Sequence, residues 1–123
     1  MPYILYLNDE PVAYVNLSKN KTVVEKKRAS LIEPCLMAYG ISINMGVDES
    51  VSYPRRIEGF PLKIHNSELD ENTVVKAIEI CLGFISGIRP TVEEVEEKIY
   101  EVTRKEERVG GENKYEEVEF ERA

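Results

Sequence analysis

The residue best suited to proton transfer near neutral pH is His65, the single histidine among the 123 residues. It follows a predicted strand and stands beside Asn66, and no recognised catalytic motif supplies it with a nucleophile or an acidic partner. We therefore prefer a capping role for this side chain. A small enzyme whose site forms around His65 at a dimer interface is kept as one alternative function.

The two cysteines, Cys35 and Cys81, are the other side chains with chemistry of their own. Each lies on the apolar stripe of a different predicted helix, and the chain contains neither a CxxC nor an HxxxH motif. The sequence therefore predicts no metal site and no cofactor. We predict two buried, unbridged thiols. The alternative is a disulfide, whose closed loop would stabilise the fold by about 4 kcal/mol.

Carboxylates and glycines give no catalytic residue either. The acidic residues between Glu93 and Glu97 fall on one predicted exposed helix, where a solvated face explains them better than acid–base catalysis. Gly110 and Gly111 are not followed by the Lys and Ser/Thr of a phosphate-binding loop. The site prediction therefore contains no catalytic residue.

A local basic cluster is the strongest candidate for binding a macromolecule. It comprises Lys26, Lys27 and Arg28 near a predicted helix start, and Arg55 and Arg56 near a predicted hairpin. These side chains could contact nucleic acid, which is the second-ranked function. We prefer ion pairs with the C-terminal quarter, because residues 90–123 carry a net charge of −6 while residues 1–89 carry −1.

A narrow apolar seam suggests self-association. A helix is predicted to begin at Thr91, where the spacing to Glu94 is that of a capping box. Apolar residues then repeat with a 3-4-3 spacing on an otherwise charged helix. They are Val92, Val95, Ile99 and Val102. Such a seam either packs on the domain's own sheet or meets a copy of itself, and we favour the copy, which would make the protein a homodimer.

The C-terminal segment, residues 110–123, is predicted to be an acidic tail outside a single domain of residues 1–109. Tyr115, Val118 and Phe120 are spaced among glutamates in the pattern of a half-buried edge strand. We therefore expect the tail to dock as an added strand, with the first hairpin as the more suitable acceptor.

The secondary-structure patterns predict an α+β fold, in which a small antiparallel or mixed sheet of about five short strands packs against three helices. The predicted order is ββ-α-β-ββ-αα. The predicted elements are a hairpin of residues 3–7 and 12–17, a helix of 22–39 kinked at Pro34, a strand of 41–45, a sheet-edge hairpin of 53–57 and 60–65, a helix of about 66–89, and the helix from Thr91.

Composition limits the remaining choices. The net charge of −7 argues against non-specific nucleic-acid binding by the whole molecule. No apolar run approaches a membrane span and no secretory signal pattern is present, so a cytoplasmic location is the default expectation. The absence of Gln and Trp and the many Glu, Lys, Val and Ile residues are typical of a thermophile. The first-ranked function is a non-catalytic, self-associating interaction or regulatory protein that binds or inhibits a larger partner.

Overall fold

The computed structural model describes residues 1–52 and 54–96, together with the backbone of residues 100–107 and 114–121. Within these ranges the chain forms two α-helices and ten strands. The helices are α1 (Lys26–Met37) and α2 (Glu71–Ser86). The strands are β1 (Tyr3–Leu7), β2 (Glu10–Asn16), β3 (Lys21–Glu25), β4 (Ile41–Ile43), β5 (Val47–Val51), β6 (Ile57–Phe60), β7 (Leu62–Ile64), β8 (Thr91–Glu94), β9 (Tyr100–Glu107) and β10 (Lys114–Glu121).

Eight strands form one antiparallel sheet in the order β10-β9-β5-β6-β3-β2-β1-β8, and β4 pairs with β7 in a separate two-stranded sheet. The predicted α+β class with an antiparallel sheet is confirmed. The predicted five strands and three helices are wrong in number, because two of the predicted helical stretches contain strands.

The first such stretch begins at Thr22. Residues Lys21–Glu25 form β3 and pair with β2 and β6, and the helix starts only at Lys26. Thr22, Val23 and Val24 are β-branched, and their preference for a pleated, packed surface outweighs the capping-box spacing. Pro34 lies inside α1, as the sequence predicts.

The predicted hairpin of residues 53–65 is wrong. Glu58 and Gly59 lie inside β6, a central strand between β3 and β5, and β7 belongs to the other sheet. Pro61 separates the two strands, since it has no backbone donor for a continuous ladder. Gly59 is required at its position: a Cβ there would lie 1.8 Å from the Val24 carbonyl oxygen.

The helix predicted from Thr91 is also wrong. Residues Thr91–Glu94 form β8, which pairs with β1 through Thr91 opposite Tyr6 and Glu94 opposite Tyr3. Pairing with β1 satisfies backbone donors and acceptors at the edge of the sheet. This stabilisation outweighs the local sequence preference for a helix. The described backbone of residues 100–107 is likewise a strand, β9, which pairs with β5.

Both helices pack on one face of the large sheet. The core there combines strand residues such as Leu5, Ala13 and Val24 with Ile32 of α1 and Ile78 of α2. The helices run antiparallel. α1 leaves β3 at the end of the sheet that carries the β1–β2 turn, whereas α2 begins at the other end.

Both ends of α2 are fixed by specific contacts. At its N-terminus, Glu71 Oε2 accepts a hydrogen bond from Leu17 N at 2.8 Å. Asp70 caps the helix by accepting from Thr73 N at 2.8 Å, and these hydrogen bonds from Thr73 lower the pKa of Asp70. Gly87 ends α2 with a left-handed backbone, φ 74°. The helix predicted over residues 66–89 is therefore confirmed, with shorter bounds.

The opposite face of the sheet is buried as well, because the sheet curls. In a flat sheet, β8 and β9 would be six strand spacings apart, about 29 Å. The six residues from Glu94 to Tyr100 reach at most about 21 Å. The curl encloses a second apolar cluster that spans β1, β2, β3, β5, β6 and the residue after β8. Its members are Ile4, Tyr14, Val23, Val51, Ile57 and Val95.

Neither α1 nor α2 is long and apolar enough to cross a membrane, and these are the helices in the part of the chain that the structure describes.

Candidate functional site

The basic residues at the start of α1 are engaged in ion pairs with strand residues. The pairs are Lys26 with Asp48 at 3.1 Å, Lys27 with Glu10 at 3.7 Å, and Arg28 with Glu25. Lys26 also lies over the Phe60 ring, 5.5 Å from its centroid. The acidic partners therefore come from β2, β3 and β5. The side chains of the C-terminal strands, with which the sequence predicts pairing, lie outside the described residues.

Glu25 is the most buried member of this charged group. Burial raises the pKa of Glu25, the adjacent Arg28 guanidinium opposes this, and a hydrogen bond with Glu10 raises the pKa further. The carboxylate therefore carries an electrostatic cost in its ionised form, although it is paired with Arg28. Arg28 is half-buried against it.

Of the two arginines after β5, Arg55 lies on the other face of the sheet. Arg55 stands over the ring of Tyr6 at 5.7 Å from the centroid, and Tyr6 packs on the enclosed cluster rather than on the helical side. Phe60, which Lys26 covers, packs on the helical side. Arg56 is bonded to Glu58. The structure therefore does not bring the five basic residues together into one continuous positive surface.

His65 lies just after β7, where its Nε2 is 2.8 Å from Ser42 Oγ on β4. Its backbone N donates to Gly40 O at 2.9 Å. Both side chains of the pair are in solvent-accessible positions. In the described part of the chain no group of three His, Cys, Asp or Glu residues could hold a metal ion.

Cys35 and Cys81 form a disulfide that joins α1 to α2, with Cα atoms 5.7 Å apart. The prediction of two unbridged thiols is therefore wrong. Each cysteine does lie on the core side of its helix, but the two helices are neighbours. The apolar pattern that indicates burial contains no information about which helices pack together.

The residues of the predicted self-association seam do not share a helical face. Val92 is exposed on β8, and Val95 is buried in the enclosed cluster. Ile99 lies outside the described residues, and Val102 falls on β9, where only the backbone is described. No helical seam forms in this part of the described chain.

The tail residues fall on β10. This strand occupies one edge of the sheet and pairs along its whole length with β9. The acceptor is therefore β9 rather than the first hairpin. The side chains of Tyr115, Val118 and Phe120 lie outside the description.

A surface that the sequence analysis missed lies on the outside of the helical layer. Phe84 is 84% exposed, Leu31 60%, Ile80 47% and Ile88 42%. Leu31 lies one turn before Cys35 and Phe84 about one turn after Cys81, on the two helices that the disulfide joins. We call these four residues the outer helical patch.

A hollow of about 430 Å³ lies beside Phe84 on α2. Its apolar lining is formed by Ile80, Gly83, Gly87, Ile88 and Pro90. The two glycines leave the helix surface without side chains there. A Cβ on Gly87 would meet nothing within 4 Å, and one on Gly83 would come no closer than 3.6 Å to another atom.

The charged groups at the rim of this hollow pair with one another. Glu79 accepts from Arg89 Nε at 3.3 Å and lies 3.8 Å from Lys76 Nζ. A partner that covered the hollow would therefore meet a carboxylate already matched by two cations. The cost of desolvating these charges would be reduced accordingly.

Comparison of the chain with known protein families, curated proteins and solved structures found no match.

Proposed function

We propose that the protein is a non-catalytic interaction protein that self-associates through the outer helical patch, and that this pairing underlies its binding to a larger partner. The observation that carries the proposal is the 84% exposed ring of Phe84 beside an apolar hollow on the same helix. Phe84 and Ile80, one turn apart on α2, are both exposed, and neighbouring exposed apolar side chains are typical of a contact surface.

A second copy of the chain is the occupant that fits this surface. An isologous dimer requires a surface that is complementary to itself. Phe84 supplies a projecting ring, and the hollow floored by Gly83 and Gly87 supplies a recess for such a ring. Two copies related by a two-fold axis could therefore each place Phe84 in the recess of the other.

The exposed area sets the expected strength of the pairing. The four residues of the outer helical patch leave about 450 Å² of apolar side chain exposed, if each large side chain presents roughly 200 Å². A stable dimer buries about 800 Å² per partner. The patch supplies about half of this area, and the rim around the hollow must supply the rest. Because the apolar part of the interface is small, we expect a dissociation constant of roughly micromolar size.

Sedimentation velocity from about 5 to 500 µM tests the proposal. The wild type should shift from 14.1 kDa toward twice that mass. Phe84→Ser should raise the dissociation constant about 30-fold or more, because truncating a central aromatic residue costs about 2 kcal/mol or more of binding. Met37→Ser is the matched control, since Met37 is 62% exposed and, two residues after Cys35, lies about 200° around α1 from the disulfide to α2.

A wild type that sediments as a monomer at every concentration would refute the proposal. So would a dimer that persists unchanged in Phe84→Ser, since the contact would then lie elsewhere. Circular dichroism of each variant establishes that folding is retained.

The two alternative functions have weaker geometric support. Nucleic-acid binding through Lys26 and Arg55 would have to use two faces of the sheet at once. A site around His65 would add groups from a second copy of the chain to the Ser42 hydroxyl, which lies 2.8 Å from the ring.

A further inference from the structure

The strand β8 forms one edge of the large sheet. In the part of the chain that the structure describes, β1 is the strand that pairs with it, its other edge has no neighbour, and all four of its residues are exposed. An edge strand presents backbone N–H and C=O groups with which a further extended chain can pair. β8 is therefore a place where another polypeptide could add a strand.

The pairing with β1 determines which backbone groups of β8 point outward. Val95 N donates to Pro2 O at 2.9 Å, so these two residues form a hydrogen-bonded pair. In an antiparallel ladder such pairs alternate with pairs that are not hydrogen-bonded. In the register of β8 on β1, Glu93 therefore also bonds to β1, whereas Val92 and Glu94 direct their N–H and C=O groups away from it. The outer edge thus offers two donors and two acceptors.

A hollow of about 550 Å³ lies beside this edge. Tyr6, which packs on the enclosed cluster, donates its O–H to Glu93 Oε1 at 3.2 Å, so Glu93 points to that face of the sheet. The residues that line the hollow are Tyr6, Asp9, Arg55, Thr91, Val92 and Glu93. A side chain that lies opposite Glu93 on an added strand would project toward this hollow, because residues directly opposite each other share a face.

The edge and the hollow together are acidic. They contain the carboxylates of Asp9, Glu93 and Glu94. The one cation among these lining and strand residues is the Arg55 guanidinium, which already stands over the Tyr6 ring. Opposite charges directly across a strand pair stabilise the pair. An added strand with basic residues would therefore complement this edge.

A second copy of β8 fits this edge less well. The antiparallel register that uses the outward groups of both copies places Val92 opposite Glu94. The two Glu93 side chains are then directly opposite one another, and like charges in that position destabilise a strand pair.

We propose that β8 accepts an extended basic segment of a partner protein as an added antiparallel strand. Two adjacent Lys or Arg residues of the partner would lie opposite Glu93 and Glu94, and an apolar residue would lie opposite Val92, which is 39% exposed. This surface shares no residue with the outer helical patch, so neither proposal depends on the other.

Backbone amide shifts in ¹H–¹⁵N spectra of the full chain, titrated with the peptide acetyl-Thr-Lys-Lys-Val-Thr-Val-amide, test the proposal. The largest saturable shifts should fall on β8. The same peptide with both lysines replaced by glutamate should cause none there. Glu93→Gln should weaken binding of the lysine peptide about twofold to fivefold. Asp48→Asn, which removes one charge on β5, is the matched control, and both it and Phe84→Ser should bind the peptide as the wild type does.

A change in the peptide backbone separates strand addition from charge attraction alone. N-methylation of the first valine of the peptide removes the N–H that would donate to Val92 O. Binding should weaken about tenfold or more, since a hydrogen bond is lost and the methyl group holds the strands apart. N-methylation of the second lysine, whose N–H would point away from β8, is the control and should leave binding close to that of the parent peptide.

Equal binding of the glutamate peptide, equal weakening by the two N-methylations, unchanged binding in Glu93→Gln, or no saturable shifts up to about 5 mM lysine peptide would each overturn the proposal. A second copy of the chain gives a different result. If the β8 amides shift with protein concentration before any peptide is added, and do so in Phe84→Ser as well, another copy occupies the edge and the proposal is wrong.

Discussion

Breaking the bond between Cys35 and Cys81 should destabilise the fold by a predictable amount. The two cysteines are 46 residues apart in sequence. On the chain-entropy account, closing a loop of this length stabilises the protein by about 4 kcal/mol, because it restricts the unfolded chain. With an unfolding entropy of about 2.1 cal/mol/K per residue, this loss corresponds to a fall in Tm of roughly 15 °C.

The assay is thermal and urea unfolding of the wild type with and without reductant, with thiols titrated in denaturant to establish the redox state. The Cys35→Ala, Cys81→Ala double variant is the control. It should be destabilised like the reduced wild type, and reductant should leave it unchanged. If full reduction of the wild type lowers the free energy of unfolding by less than about 1 kcal/mol, the loop-entropy reasoning fails.

Three further predictions concern the sheet. Gly59→Ala should destabilise the fold by about 3 kcal/mol or more, because its Cβ would lie 1.8 Å from the Val24 carbonyl oxygen. Gly46→Ala is the control, and the two variants are compared by urea unfolding. The raised pKa of Glu25 means that ionising this group disfavours the folded state. The free energy of unfolding of the wild type, relative to that of Glu25→Gln, should therefore increase as the pH falls from the folded-state pKa of Glu25 toward 4.5. A difference between the two proteins that stays constant over this pH range, measured by urea unfolding, would contradict the assignment. Deleting residues 112–123 removes β10 and exposes the edge of β9, so the truncated chain should have a lower Tm; an unchanged Tm would show that β10 contributes no stability.

Local patterns were sufficient for α2, where apolar spacing, the Asp70 cap and the terminal glycine agree. They failed for β3 and β8, where a capping-box spacing coincides with residues that the sheet needs as strands. Strand pairing depends on partners far along the chain. Single-sequence periodicity contains no information about those partners.

The candidate site was missed for a related reason. Apolar residues cover more than half of α2, a pattern that is typical of a helix buried on all sides. The available signal was the spacing of Ile80, Phe84 and Ile88 at i, i+4 and i+8. Ile80 and Phe84 lie one turn apart on α2, away from the sheet, and Ile88 follows the end of the helix. The disulfide and the acidic partners of the basic cluster likewise depend on which elements become neighbours.

The most direct test of self-association through α2 is an isotope-filtered nuclear Overhauser experiment on a mixture of ¹³C-labelled and unlabelled chains at high concentration. We predict contacts from the Phe84 ring of one copy to the Hα protons of Gly83 and Gly87 of another. If the chain sediments as a dimer under the same conditions but these contacts are absent, the partner is bound through a different surface and the account is wrong.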